Sequence, residues 1–251
     1  MTAPIALQLY SIRDKLKDNF EAGVRRIADM GYVGVEPAGF PGTTPMAAEK
    51  LFRELGLAVP SVHTSMPIGK AKKQTLEVMN ALNSKRIVSG LGPDDFKTKN
   101  LIRRSCDKFN EASRVAVENG MTFGIHNHWW EYLPIDDQYV YQVMLEHLAS
   151  EIFFEIDTYW IKTAGLDPAI VVRELGARVP LLHIKDGPCR QGEPMTAVGD
   201  GIMDFHSIVE AGSTTTEWMI VELDSCATDM MEAVKKSYEY LTREKLAQGK
   251  Q

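Results

Sequence analysis

Short apolar, β-branched runs recur along the chain, each followed by a longer stretch whose apolar positions repeat with helical spacing. The runs are IALQLY from Ile5, VGVEP from Val33, LAVPSVH from Leu57, RIVSG from Arg86, MTFGIHNH from Met121, IFFEIDTYW from Ile152, PLLHIKD from Pro180 and WMIVELD from Trp218. Their alternation with amphipathic stretches predicts parallel strands joined by crossover helices. The helical stretches are NFEAGVRRIADMG, MAAEKLFRELG, KKQTLEVMNALN, FKTKNLIRRSCDKFNEASRVAVENG, YVYQVMLEHLAS and PAIVVRELG, with a final helix from Met230 to Leu246. Several close on Gly or Asn, where a helix C-cap belongs.

Eight strand units in 251 residues match a single (β/α)8 TIM barrel better than an open doubly wound sheet, so residues 1–251 are read as one barrel domain. The stretch from Gly187 to Asp204 is long for a connection and rich in Gly and Pro. It follows a strand on the face where barrel active sites are built, so it is a candidate substrate-covering loop.

Composition narrows the partners. The net charge is −6 with Lys and Arg scattered, which leaves no electrostatic footprint for a nucleic-acid backbone. Cys106, Cys189 and Cys226 are odd in number and lack metal-type spacing, as expected of reduced thiols. The N-terminal segment has no basic region ahead of an apolar stretch, and no run nears the roughly 20 apolar residues of a membrane span. A cytoplasmic protein acting on a small molecule, with no nucleic-acid or membrane partner, is the expectation; exposed loop aromatics would permit a homo-oligomer.

In a barrel, polar side chains at the carboxyl ends of strands point to the reaction face. Four successive strands end in metal-competent residues: His126 with His128, then Asp157, His183 and Glu222. Neutral imidazoles and carboxylates suit Mn²⁺, Co²⁺, Zn²⁺ or Fe²⁺, and two carboxylates balance a dication. Each lies beside an apolar run, where an unpartnered polar group would cost several kcal/mol, so each needs a reason to be there. Tyr10, Glu36 and His63 end the first three strands, and Lys185 follows His183. Glu36 and His63 are candidates to hold sugar hydroxyls or supply a proton, and Lys185 to stabilise an enolate-like anion or to pair with Asp157 or Asp186. Trp129, Trp130, Tyr159 and Trp160 follow the supposed ligands and offer flat faces to a sugar ring.

The stretches LQLYSIRD, GYVGVE, HNHWWEY, EIDTYWIKTAGLDP, HIKD, VGDGIMDF and IVELD resemble the sugar phosphate isomerase/epimerase family with the xylose isomerase-like TIM barrel, essentially end to end. The resemblance implies one divalent metal, manganese favoured over cobalt, zinc, magnesium or iron, held by His126, Asp157, His183 and Glu222. It departs from the ketose epimerases at His126, where they carry Glu and pair it with the eighth-strand Glu for proton transfer. The HNH form is similar to a branch acting on 3-keto-glycosides, which implies His128 as the base, with Glu222 as an alternative; an ordinary imidazole pKa near 6.5 suits that work.

The mechanism expected is loss of a proton next to the carbonyl of a sugar or keto-sugar, the step shared by isomerisation, epimerisation and elimination of an aglycone. Two other classes compete with it. An endonuclease IV-like phosphodiesterase needs more ligands and a basic surface than six histidines and a −6 charge provide. A non-catalytic sugar-binding barrel would bind its ligand equally well without the metal residues.

Overall fold

The computed structural model describes residues 2–250. Its barrel strands are β1 (Ile5–Gln8), β2 (Gly34–Glu36), β3 (Val62–His63), β4 (Arg86–Ser89), β5 (Thr122–His126), β6 (Phe153–Asp157), β7 (Leu181–Ile184) and β8 (Trp218–Val221). They pair in parallel in the order β2-β1-β8-β7-β6-β5-β4-β3, an eight-stranded sheet. The two ends meet through a Gly34–Ala58 bridge and through His63 N–H donating to the Pro37 carbonyl at 2.9 Å. This closes the TIM barrel.

A helix follows each strand: α1 (Phe20–Met30), α2 (Pro45–Glu54), α3 (Lys72–Ala81), α4 (Lys99–Glu118), α5 (Val140–His147), α6 (Pro168–Leu175), α7 (Phe205–Ala211) and α8 (Met230–Arg243). Local sequence fixes many of their ends. Asn19 caps α1 by accepting from Ala22 N–H, and Gly31 ends it at φ 105°. Thr44 before Pro45 and Asp167 before Pro168 set the starts of α2 and α6 in the same way. Helix α7 lies outside the expected set, and the segment TYW, expected as strand, turns helical from Thr158 because Asp157 caps that turn. The expected third strand is likewise split: Ala58 makes only the bridge, and Pro60, which has no N–H, separates it from Val62–His63.

Period-two alternation sorts the strand residues into two layers. Ile5, Leu7, Val35, Ile156, Ile184 and Val221 belong to the large cluster shared with the helices, and all are fully buried. Each such aliphatic side chain contributes about 1.5–3 kcal/mol by leaving water. Ala6, Val88, Phe153, Leu181 and Ile220, with Trp218 against them, form a separate cluster that fills the lower half of the barrel. Gly124 belongs to this inner set, since a Cβ there would run into the Phe153 ring. Two residues further along five of these strands, and again four residues along on β6 and β7, the inward side chains are polar: Gln8 after Ala6, His126 after Gly124, Glu155 and then Asp157 after Phe153, His183 and then Lys185 after Leu181, Glu222 after Ile220. A dry plug therefore supports a buried polar floor.

The Gly187–Asp204 segment is not a loose flap. The Asp186 carboxylate accepts from the N–H groups of Gly187 (2.8 Å), Gly199 (2.9 Å), Gly201 (3.1 Å) and Met203 (3.2 Å), which gathers the loop onto one buried charge. The N–H groups of the VGDG stretch are all spent within the protein, those of Gly199 and Gly201 on Asp186, that of Val198 on Ser237 Oγ and that of Asp200 on the Ala197 carbonyl. Cys106, Cys189 and Cys226 are unbridged. Among the described residues no helix is long and apolar enough to cross a membrane.

Candidate metal centre

Register brings the strand ends together. Asp157 on β6 pairs across from His183 on β7, and His183 in turn from Ile220, which sets Glu222 two residues above it on β8. His126 on β5 lies beside Glu155. The result is a group of four, His126, Asp157, His183 and Glu222, whose ligand-type atoms all lie within 4.8 Å of one another and whose residues are all buried. His126 turns Nε2 toward Asp157 Oδ2 (3.9 Å), and His183 turns Nδ1 toward Glu222 Oε2 (2.8 Å).

The middle residue of the HNH motif is structural. Asn127 accepts from Asp157 N–H at 2.9 Å and donates to Asp157 O at 3.1 Å, clamping the end of β5 to that of β6. Asp157 Oδ1 accepts from Trp160 N–H, and Oδ2 faces the Lys185 ammonium at 3.0 Å and His126 Nε2 at 3.9 Å. Lys185, 1% exposed, lies 3.0 Å from Asp157, 2.7 Å from Glu222 and 2.8 Å from Asp224. Asp186 is not its partner, because that carboxylate faces the loop.

Negative charge outweighs positive here. Glu36, Glu155, Asp157 and Glu222 are buried carboxylates, against the Lys185 ammonium and the buried His183 imidazole, whose proton they hold. Burial pushes Asp157 up to about 6 despite Lys185 and His183, and pushes Glu36 up to about 7 with help from Glu155. Burial alone would pull His183 down, but Glu155, Glu36 and Glu222 around it hold it well above the usual imidazole range. Glu222 is held well below the carboxylate range, its burial outweighed by Lys185 and His183. Two imidazoles and two carboxylates within reach of one point, with a surplus of buried carboxylates around them, make a donor set that fits a divalent cation.

The other expected site residues are placed less uniformly. Glu36 is fully buried below His183, its Oε2 2.7 Å from His183 Nε2 and accepting from Gln8 Nε2 at 2.8 Å, so that oxygen holds the ring, while Oε1 is enclosed without a hydrogen-bond partner. His63 reaches a cavity of about 400 Å³ that it lines with Ser89, Gly90, Leu91, His128 and Trp130. His128 stacks flat on Trp130, with ring centroids 4.1 Å apart, and its Nδ1 is buried without a partner. Its pKa departs from the expected value: burial and then the Lys185 charge push it down to about 3. Beneath it Glu131, which accepts from His128 N–H at 2.9 Å, is pushed by burial up to about 8.

Trp129 packs edge-on against Trp130, and Trp160 sits 5.6 Å from Lys185 Nζ. Tyr10 is 44% exposed at the rim, covered by the Arg13 guanidinium at 4.2 Å and not part of the buried cluster. A larger hollow of about 640 Å³ lies outside the barrel mouth near Leu166 and Ser207 and contains none of the cluster residues.

Sequence reading missed Glu155. It is fully buried, with Oε2 3.0 Å from His63 Nε2, 3.4 Å from His126 Nδ1 and 3.1 Å from His183 Nε2. The signal was available: a charge inside FFEID, two positions before Asp157 and so on the same strand face.

Residues 24–244 match the family described as xylose isomerase-like TIM barrel. Among solved structures, a sugar phosphate isomerase/epimerase from Parabacteroides distasonis ATCC 8503 superposes with a TM-score of 0.81 at 22% identity, covering 99% of this chain and 96% of that one. An L-ribulose 3-epimerase gives 0.71 at 14% identity over 96% and 94%. A protein named IOLI, solved with a bound zinc atom, gives 0.73 at 14% identity over 98% of each chain. At such identities the likeness is one of fold. No curated protein matches the chain in sequence.

Proposed function

The chain belongs to the xylose isomerase-like TIM barrel family, and from that footing we propose that it is a divalent-metal-dependent sugar isomerase or epimerase. The observation that carries the reading is the convergence of His126, Asp157, His183 and Glu222 from four successive strands beside a cavity walled by His63, His128 and Trp130. Those four residues would hold the ion, with Mn²⁺ favoured. When bound, it would supply positive charge next to vicinal oxygens of the sugar and so ease loss of the proton beside a carbonyl.

The chain's own groups do the rest. His128, held flat by Trp130 with an unpartnered Nδ1, is pushed by burial and then by Lys185 down to about 3, so it is neutral at physiological pH and a weak base in the resting site. Its low proton affinity rises only when negative charge develops on the substrate beside it, which ties the transfer to the reacting state. Lys185 favours the ionised forms of Asp157 and Glu222 as ligands and adds fixed positive charge within the buried site. Trp129, Trp130 and Trp160 offer faces to the ring of a sugar, and His63 a partner for its hydroxyls.

A second reading is favoured by one residue. His126 stands where the ketose epimerases carry a proton-transferring Glu, and a single base at His128 suits elimination of an aglycone from a 3-keto-glycoside.

Incubation of the Mn²⁺-loaded protein with ketoses, their phosphates and 3-keto-glycosides in D₂O separates the two. Deuterium incorporated next to the carbonyl, followed by NMR and abolished in His128→Ala, supports the isomerase or epimerase. Release of free aglycone supports the lyase. No incorporation and no release, with tight sugar binding retained in His126→Ala, would leave a binding barrel.

A further inference from the structure

Both imidazoles of the four-residue group have a second ring nitrogen, and both turn it to the same place. His126 directs Nε2 at Asp157 and Nδ1 at Glu155 Oε2 (3.4 Å); His183 directs Nδ1 at Glu222 and Nε2 at Glu155 Oε2 (3.1 Å). Among the described residues no other carboxylate is paired with His126 Nδ1, whereas His183 Nε2 also meets Glu36 at 2.7 Å. Glu155 Oε2 and His126 Nδ1 are both fully enclosed and lack a hydrogen bond of good geometry, an arrangement that a small rotation of one ring would complete. The other oxygen of Glu155 is within 3.4 Å of Ser61 Oγ.

We propose that Glu155 is a positioning residue shared by the two metal-binding imidazoles: its one carboxylate draws the N–H of both and thereby fixes opposite tautomers, Nδ1–H in His126 and Nε2–H in His183. Only those tautomers leave His126 Nε2 and His183 Nδ1 as lone-pair donors facing Asp157 and Glu222. A neutral imidazole carries one proton, so whatever holds that proton decides which nitrogen can bind a cation. At His183 Glu155 shares this work with Glu36, which takes the Nε2 hydrogen bond at 2.7 Å; at His126 Glu155 acts alone among the described residues. The proposal rests on the metal-site reading above and assigns Glu155 no ligand role.

The test compares wild type, Glu155→Gln and Glu155→Asp. Mn²⁺ and Zn²⁺ affinities are measured by chelator competition, and histidine tautomers by ¹⁵N-edited NMR of the Zn²⁺ complex. Expected are one ion per chain in wild type, Nδ1–H for His126 and Nε2–H for His183, and a loss of affinity of roughly 10- to 100-fold in Glu155→Gln, partly restored in Glu155→Asp. If Glu155→Gln fails to fold, the wild-type tautomer of His126, which only Glu155 faces among the described residues, and the affinity of Glu155→Asp decide. Wild type that binds the ion with the same tautomer in both rings, or Glu155→Gln with unchanged affinity, overturns the proposal and leaves the metal site standing. Two ions per chain also overturn it, since Glu155 would then be a ligand with His63. A wild type that binds no ion removes the metal reading itself.

Discussion

Replacing Lys185 with Met removes the buried cation while keeping an unbranched chain of similar length. The ammonium is 1% exposed and lies 2.7–3.0 Å from Glu222, Asp224 and Asp157. Asp157 and Glu222 stay buried when it goes, whereas Asp224, with 34% of its side chain exposed, falls back on water. Breaking a buried ion pair by removing one partner costs about 3–5 kcal/mol, or a fall in Tm of roughly 6–20 °C for a chain of this size.

The deficit has a pH signature. Asp157 is raised to about 6 even with Lys185 beside it, so losing that charge raises it further. A carboxylate with a raised folded pKa contributes stability that is complete below its unfolded value and lost as pH rises through the folded one. The variant should therefore lag wild type more at about pH 8 than at about pH 5. Mn²⁺ should also raise the Tm of the variant more than that of wild type, because the ion meets two carboxylates with no competing ammonium. Thermal melts by circular dichroism at both pH values, with and without Mn²⁺, measure all three effects. A variant within a degree or so of wild type at the higher pH, or a Mn²⁺ shift no larger than in wild type, would refute the reasoning.

Three further outcomes follow from single contacts. Asp186→Asn should free the Gly187–Met203 loop, since an amide NH₂ cannot accept from the Gly199 and Gly201 N–H groups that Asp186 Oδ2 now holds; limited proteolysis should cut there first, and an unchanged cleavage map would contradict it. Gly90→Ala should cost about 1–3 kcal/mol and weaken metal binding, because a Cβ would lie 2.9 Å from the His126 carbonyl oxygen; urea melts and a metal titration read both effects, and wild-type values would contradict it. Glu131 titrates at about 8 folded against an ordinary 4.5, so its contribution is complete below 4.5 and lost as pH rises through about 8. Glu131→Gln should abolish that loss, which runs at about 1.4 kcal/mol for each pH unit between the two values, so that urea melts show the variant gaining on wild type from about pH 5 to pH 9; parallel profiles would contradict it.

The barrel was legible because each strand and helix announces itself locally. Alternating apolar runs and helical stretches marked the strands, and Asn19, Gly31, Thr44 and Asp167 marked helix ends by their own chemistry. The four-residue group was legible because position at a strand end is a one-dimensional fact. Depth inside the barrel is not. Glu36 ends its strand as Asp157 ends β6, yet the stagger between strands sets it a layer lower, under His183. Glu155 is easily passed over because Asp157 takes the last inward position of β6, although the next one down carries a charge in an apolar run. The lowered pKa of His128 comes first from its burial and then from Lys185, which is far away in sequence and brought near only by the closed sheet. The loop from Gly187 looks like a lid because Gly and Pro are read locally, while the Asp186 carboxylate that fastens it acts across more than a dozen residues.

The central claim, one divalent ion held by His126, Asp157, His183 and Glu222, is tested most directly by titrating Mn²⁺ into chelator-stripped protein by calorimetry in buffers of differing ionisation enthalpy. The account predicts one ion per chain, with protons released on binding because His183 and Asp157 hold theirs more tightly than usual, and no binding in His183→Ala. Wild type that takes up no ion, or His183→Ala that binds with the wild-type affinity, would contradict it.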